Sequence, residues 1–173
     1  IPIVTLINKM DREAQDPFEL LDEIGSKLAL DPAPLYWPAG SGSRFKGVLD
    51  LRRKQFLPFQ RHSNEHPAAV AANSNAIVTY LDPEEQAEME EGAMLVTEAS
   101  KPFDPQAFLE GHMTPVFFGS ALRHFGVDQL LDRPRFLENF RGIACDRDDE
   151  TAVRTEIDEP LHHAKLLLVR PFE

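Results

Sequence analysis

The first legible pattern is also the first in the chain. Ile1-Pro2-Ile3-Val4-Thr5-Leu6-Ile7 is almost unbroken apolar sequence rich in β-branched residues, the mark of a parallel strand buried on both faces. Such a strand needs a neighbour on each side, and no initiator Met precedes it. The run therefore reads as the inside of a fold, and the chain as part of a longer protein. Asp16-Pro17-Phe18-Glu19 starts a helix: Asp16 can cap it, Pro17 suits its first position, and Glu19 stands where a capping box needs it. Leu20, Ile24 and Leu28 recur every fourth residue on one face. Asp31-Pro32-Ala33-Pro34 predicts a stop near Leu30. From Leu35 the texture changes. Leu35 to Pro38 is strand-like, Gly40 to Ser43 is a Gly/Ser loop, and Phe45 to Leu51 with Gln55 to Gln60 predicts a hairpin or meander. Residues 62–76 show no period and read as loop. Asp82-Pro83 and Asp104-Pro105 repeat the helix start, predicting helices to Ala99 and to near Gly111. Thr114 to Phe118 is a second compact apolar strand, followed by Gly119-Ser120-Ala121-Leu122. A helical pattern resumes at Gly126 with Val127, Leu130 and Leu131, and Lys165 to Val169 is a further strand candidate.

Two stretches thus share the character of a parallel α/β layer, 1–35 and 114–141, with a mixed α+β insert at 36–113 between them. An insert that leaves a sheet and returns to it must have its ends close together. Residues 142–173 read as a linker and the start of a following β-domain, with 133–154 left unassigned, because Pro134 interrupts the helix.

Composition narrows the functional classes. The 173 residues include 42% hydrophobic and 27% charged positions, within the globular range. No apolar run approaches the roughly 20 residues that span a bilayer, so no membrane partner is expected. Cys145 is the single cysteine, which points to a reducing, cytoplasmic setting without an internal disulfide. The balance of 18 basic to 29 acidic residues, net −11, argues against binding naked DNA by charge alone. Locally the sign reverses: residues 44–61 hold Arg44, Lys46, Arg52, Arg53, Lys54 and Arg61 against Asp50 alone. That patch reads equally as a docking face or as a charged, protected hairpin edge.

The chemistry lies at the strand ends. A buried strand running into Asn8-Lys9-Met10-Asp11 delivers Asp11 to the crevice at the carboxyl end of an open parallel sheet. Its two oxygens match the adjacent ring N–H and amino donors of guanine through charge-assisted bonds, and adenine lacks that pair. The aliphatic stem of Lys9 can cover the base while its ammonium stays wet, and Asn8 can tie this loop to a neighbour. An ordinary polar turn would use the same residues. The second apolar strand ends in Ser120-Ala121-Leu122, where the Ala121 N–H can donate to the guanine carbonyl oxygen and Ser120 can cap a helix. Two strand-end turns suited to one purine weigh more than either alone.

These motifs carry a resemblance. Asn8 to Glu13, Asp16 to Ile24, Trp37-Pro38-Ala39-Gly40-Ser41-Gly42, Phe45-Lys46-Gly47-Val48, Thr114 to Leu122 and Phe125-Gly126-Val127-Asp128 resemble the later part of the GTP-binding domain of the bacterial peptide chain release factor 3 family of translational GTPases, over about residues 1–132. Elongation factor G is the nearest competitor. The resemblance implies a partial P-loop NTPase-type sheet and a GTPase of translation termination that promotes departure of the codon-reading release factor from the ribosome. It implies GTP/GDP as ligand, with Mg²⁺ only in the full-length protein. Asn8, Lys9 and Asp11 match the guanine-specificity motif, and Ser120, Ala121 and Leu122 the second guanine loop. None of the nine glycines is followed by Lys, so the phosphate loop is missing. No catalytic residue is assigned, and the chain alone is expected not to hydrolyse GTP.

Two rival readings remain. His62-Ser63-Asn64-Glu65-His66 fits an inverted zinc-protease motif. However, Pro67 and the absent helical period favour a solvated loop, and no metal ligand is assigned. The insert alone would serve as a nucleotide-free protein-interaction module. Gly40-x-Gly42 reads as a plain turn, and Phe117 and Phe118 as core.

Overall fold

The computed structural model describes residues 2–12, 15–63, 65–127, 129 and the backbone of 165–169. Strand β1 is Ile3–Ile7, and helix α1, Pro17–Leu28, follows it. Asp16 Oδ1 accepts the Phe18 N–H at 2.8 Å, and Leu20, Leu21 and Ile24 face inward. The cap rests on Asp16; no reciprocal Glu19 bond accompanies it among the described residues. Ala29, in the left-handed region, ends the helix. The next residues do not merely stop it. Asp31–Pro34 forms β2, at the edge of the parallel sheet beside β7, Met113–Phe118. An edge strand tolerates its two prolines because only one side must donate.

β7 lies next to β1 in parallel, with Thr5 opposite Val116 and Ile7 opposite Phe118. Lys165–Val169 was expected to open a following β-domain. It forms β8, which pairs in parallel along β1 from Ile3–Lys165 to Ile7–Val169. The order is β2-β7-β1-β8. Thr5 and Thr114 are fully buried between β1 and β7. Thr114 Oγ1 donates to Ile3 O at 2.8 Å, so the 2.8 Å hydroxyl pair must be donated by Thr5. Thr114→Val keeps the shape and leaves Thr5 and the Ile3 carbonyl without this partner. A loss of about 1–2 kcal/mol in urea unfolding is expected.

Leu35 carries the chain between sheets: its N–H donates to Val116 O and its carbonyl accepts from Leu51 N. Beyond it lies an antiparallel sheet in chain order: β3 Tyr36–Ala39, β4 Gly47–Asp50, β5 Gln55–Pro58 and β6 Val70–Ala71. β6 is a two-residue strand inside the expected loop, too short to show alternation. Helix α2, Pro83–Ala99, has the full capping box of Asp82 and Glu85, and α3, Pro105–Glu110, ends on Gly111. Met89, Ala93 and Val96 form the inner face of α2, while Glu84, Glu88, Glu90 and Glu91 are exposed. Gly92 lets α2 lie against the indole of Trp37: a Cβ there would stand 2.4 Å from Trp37 Nε1.

The insert shares one core with the parallel layer. Trp37 meets Phe18 at 4.7 Å and Phe118 at 5.9 Å between ring centroids, and Tyr36 meets Phe117 at 5.5 Å. Phe117 and Phe118 are buried, as expected. The helix expected from Gly126 lies mostly outside the described residues, as do 133–154 with Cys145.

Candidate functional site: two joined strand-end turns

β1 and β7 end side by side, so the turns that follow them meet. The Gly119 N–H donates to Ile7 O at 3.0 Å, and the Met10 N–H donates to Gly119 O at 3.1 Å. Asn8 Oδ1 then accepts two amides, Lys9 N and Ala121 N, both at 2.8 Å. One side-chain oxygen, separated by 113 positions from its second donor, joins the turns as the sequence led us to expect. Lys9 has φ +65°, a left-handed conformation that costs a non-glycine residue about 1–2 kcal/mol. The Asn8 bond to its amide offsets part of that cost.

Asp11 follows the buried Met10 and is half-buried. Its carboxylate has no hydrogen-bond or ion-pair partner among the described residues. Leu122 points outward, 69% exposed, and Ser120 is buried. The Ser120 side chain makes no cap hydrogen bond to the single 3₁₀ turn, Ala121–Arg123, that follows it. Instead Ser120 and Phe125 exchange backbone bonds at 2.9 and 3.0 Å, closing the turn. Gly126, at φ +80°, is required there: a Cβ would meet Phe118 O at 2.7 Å and Gly119 Cα at 2.9 Å. The Ala121 N–H, read as a donor to a guanine carbonyl, is already given to Asn8 Oδ1. A carbonyl arriving there must share it or displace the Asn8 oxygen.

The insert also reaches the site, which the sequence did not reveal. Gly42 N–H donates to Met10 O at 2.9 Å, so the Gly40–Ser43 turn is fastened to the Asp11 loop rather than plain. Arg61 Nη1 donates to Asp11 O at 2.8 Å and Nη2 to Gly42 O at 2.6 Å. On the other turn, His66 Nδ1 accepts the Gln60 N–H at 3.3 Å, leaving Nε2–H to donate to Arg123 O at 2.9 Å. Both nitrogens of this half of the zinc-like motif are thus engaged. Phe45, Phe59, His66 and Phe125 form one aromatic cluster, with centroids 4.9 to 5.8 Å apart. Of the other basic residues, Arg44 pairs with Glu88 at 3.5 Å and Lys46 with Glu85 at 3.6 Å, both on α2. The local positive charge is partly neutralised within the chain.

A parallel sheet with two such turns at its carboxyl edge has a counterpart among known families. The elongation factor Tu GTP-binding domain matches residues 1–136. The chain belongs to that family. Within the elongation factor Tu GTP-binding domain family, it is similar to peptide chain release factor 3 of Bordetella avium strain 197N, at 46% identity over 136 residues, 76% of this chain and 25% of that protein. Peptide chain release factor 3 of Nitrosomonas europaea is 45% identical over 141 residues, again 76% of this chain and 25% of that protein. The resemblance read from Asn8 to Asp128 therefore holds, and the fold is the P-loop NTPase-type α/β sheet expected of it. The chain spans about a quarter of the length of the curated relatives it matches. A crystal structure of a Thermus thermophilus protein aligns at TM-score 0.46 and 18% identity over 78% of this chain and 22% of that one.

Proposed function

We propose that this chain is the guanine-recognition part of a translational GTPase that acts at the ribosome in termination and promotes departure of the codon-reading release factor. Asn8, Lys9 and Asp11 hold one side of the base, and Ser120, Ala121 and Leu122 the other. The observation that supports this reading most is the Asn8 oxygen on the Ala121 amide, which joins the turn leading into Asp11 to the second turn. The ligand is GTP or GDP, and the partners are the ribosome and a codon-reading release factor in the cytoplasm. With none of nine glycines followed by Lys, the chain holds the base and leaves phosphates and Mg²⁺ to residues beyond it. By itself it does not hydrolyse GTP.

A nucleotide-free module made of the insert alone is disfavoured, because the core runs unbroken from Leu6 and Ile24 through Trp37 to Phe56 and Met89. The test is competition of GDP, ADP and XDP for fluorescent GDP on the complete product of the reading frame. Guanine is expected to win over adenine by about 10³-fold or more, the discrimination typical of a site built to pair buried polar groups. Equal affinities would remove the reading.

A further inference from the structure

We propose that Arg61, a residue of the insert outside either guanine motif, is a positioning residue that sets base specificity by fixing the backbone under Asp11. The inference rests on the guanine-binding reading above and deepens it. Both peptide groups flanking the Asp11 Cα are held from the insert. The Met10 carbonyl accepts the Gly42 N–H at 2.9 Å, and the Asp11 carbonyl accepts Arg61 Nη1 at 2.8 Å. Arg61 Nη2 donates to Gly42 O at 2.6 Å, so one guanidinium locks the two clamps together. With Met10 buried and its N–H on Gly119 O, the direction of the Asp11 carboxylate is left to its own two side-chain torsions.

Arginine suits the task. Its rigid planar fork reaches two carbonyls at once, which a lysine point charge does not reproduce. Arg61 forms no ion pair with a carboxylate among the described residues; its polar contacts are these two carbonyls. Its guanidinium lies 6.0 Å from the Phe59 ring centroid. Phe59 in turn packs on Phe125, five residues past Ser120, at 5.3 Å. The same anchor thus rests on the second guanine turn.

Because the hydrogen bonds of Arg61 go to backbone carbonyls alone among the described residues, its removal should blur the aim of Asp11 and leave contacts to the rest of the nucleotide intact. Inosine separates these effects, since it lacks the amino group that Asp11 would read. GDP and IDP affinities are to be measured on the complete gene product for wild type, Arg61→Ala and Arg61→Lys, alongside melting temperature. The GDP-to-IDP ratio is expected to fall about tenfold in Arg61→Ala, the scale of one lost hydrogen bond to a charged group, with IDP affinity falling less than GDP affinity because hypoxanthine keeps the ring N–H but has no amino group to lose. Arg61→Lys should fall between. A role limited to stability would lower melting or weaken both nucleotides equally and hold the ratio, and that result overturns the proposal. If Arg61→Ala does not fold, Arg61→Lys decides: a reduced ratio supports the proposal and an unchanged one overturns it. Wild type without preference for GDP over IDP and ADP removes the guanine reading and the proposal together. Wild-type preference that survives both substitutions removes the proposal alone.

Discussion

Asp11→Asn is expected to turn a guanine site into a xanthine site without disturbing the fold. The Asp11 carboxylate has no protein partner among the described residues, so exchanging one oxygen for an amide nitrogen breaks no native bond. Unfolding free energy should stay within about 0.5 kcal/mol of wild type, as for other substitutions away from structural features. Guanine, however, offers two donors side by side. The amide can accept one and must set its own N–H against the other, losing a charge-assisted bond and creating a donor–donor clash. Charge-assisted bonds contribute about 1.5–3 kcal/mol each, so GDP affinity should fall by about 100-fold. Xanthine replaces the amino donor with a carbonyl, which the amide N–H serves, so XDP should gain where GDP loses. The measurement is displacement of fluorescent GDP by GDP, XDP and ADP. GDP affinity that survives the substitution would mean that Asp11 does not read the base.

How much of this was visible beforehand follows from the range of each interaction. The three Asp-Pro helix starts are local: Asp16, Asp82 and Asp104 each accept a backbone N–H two or three residues ahead. The apolar strands ending at Ile7 and Phe118 were legible because strands buried on both faces have nowhere to put polar residues. β2 was not, because prolines argue against a strand until its edge position is known. The meeting of Asn8 with Ala121 could be expected from two motifs suited to one ligand, though no period links residues 113 apart. The contribution of the insert had no such signal. Arg61 looked like one charge in a basic run and His66 like half of a metal motif. Their roles come from partners 50 and 57 positions away, and those partners are backbone carbonyls, which every residue type carries. Side chains that bond to backbone leave no complementary residue in the sequence to betray them.

Asn8→Ala tests the joint between the turns, and it is expected to cost more stability than any other substitution at the site. It withdraws one oxygen from two amides at once, Lys9 N and Ala121 N. Both bonds are part-buried, and an orphaned donor costs about 1–3 kcal/mol. Lys9 also loses the bond that offsets its left-handed conformation, so the turn can relax out of the shape that presents Asp11. A net loss of about 2–3 kcal/mol follows, or about 5–10 °C in melting temperature for a chain of this size. Asn8→Asp is the control. A carboxylate oxygen accepts the same two N–H groups in the same place, so Asn8→Asp should recover most of the stability lost in Asn8→Ala. Nucleotide affinity should behave differently. In Asn8→Ala the Ala121 N–H is released for a base carbonyl, but the turn that carries it is no longer held to β1. Because aim matters more than availability at a site of this kind, GDP affinity is expected to fall. Equal melting temperatures for the alanine variant and wild type would show that the joint contributes nothing to the fold. Weaker melting with undiminished GDP affinity would show that the second turn finds the base without Asn8.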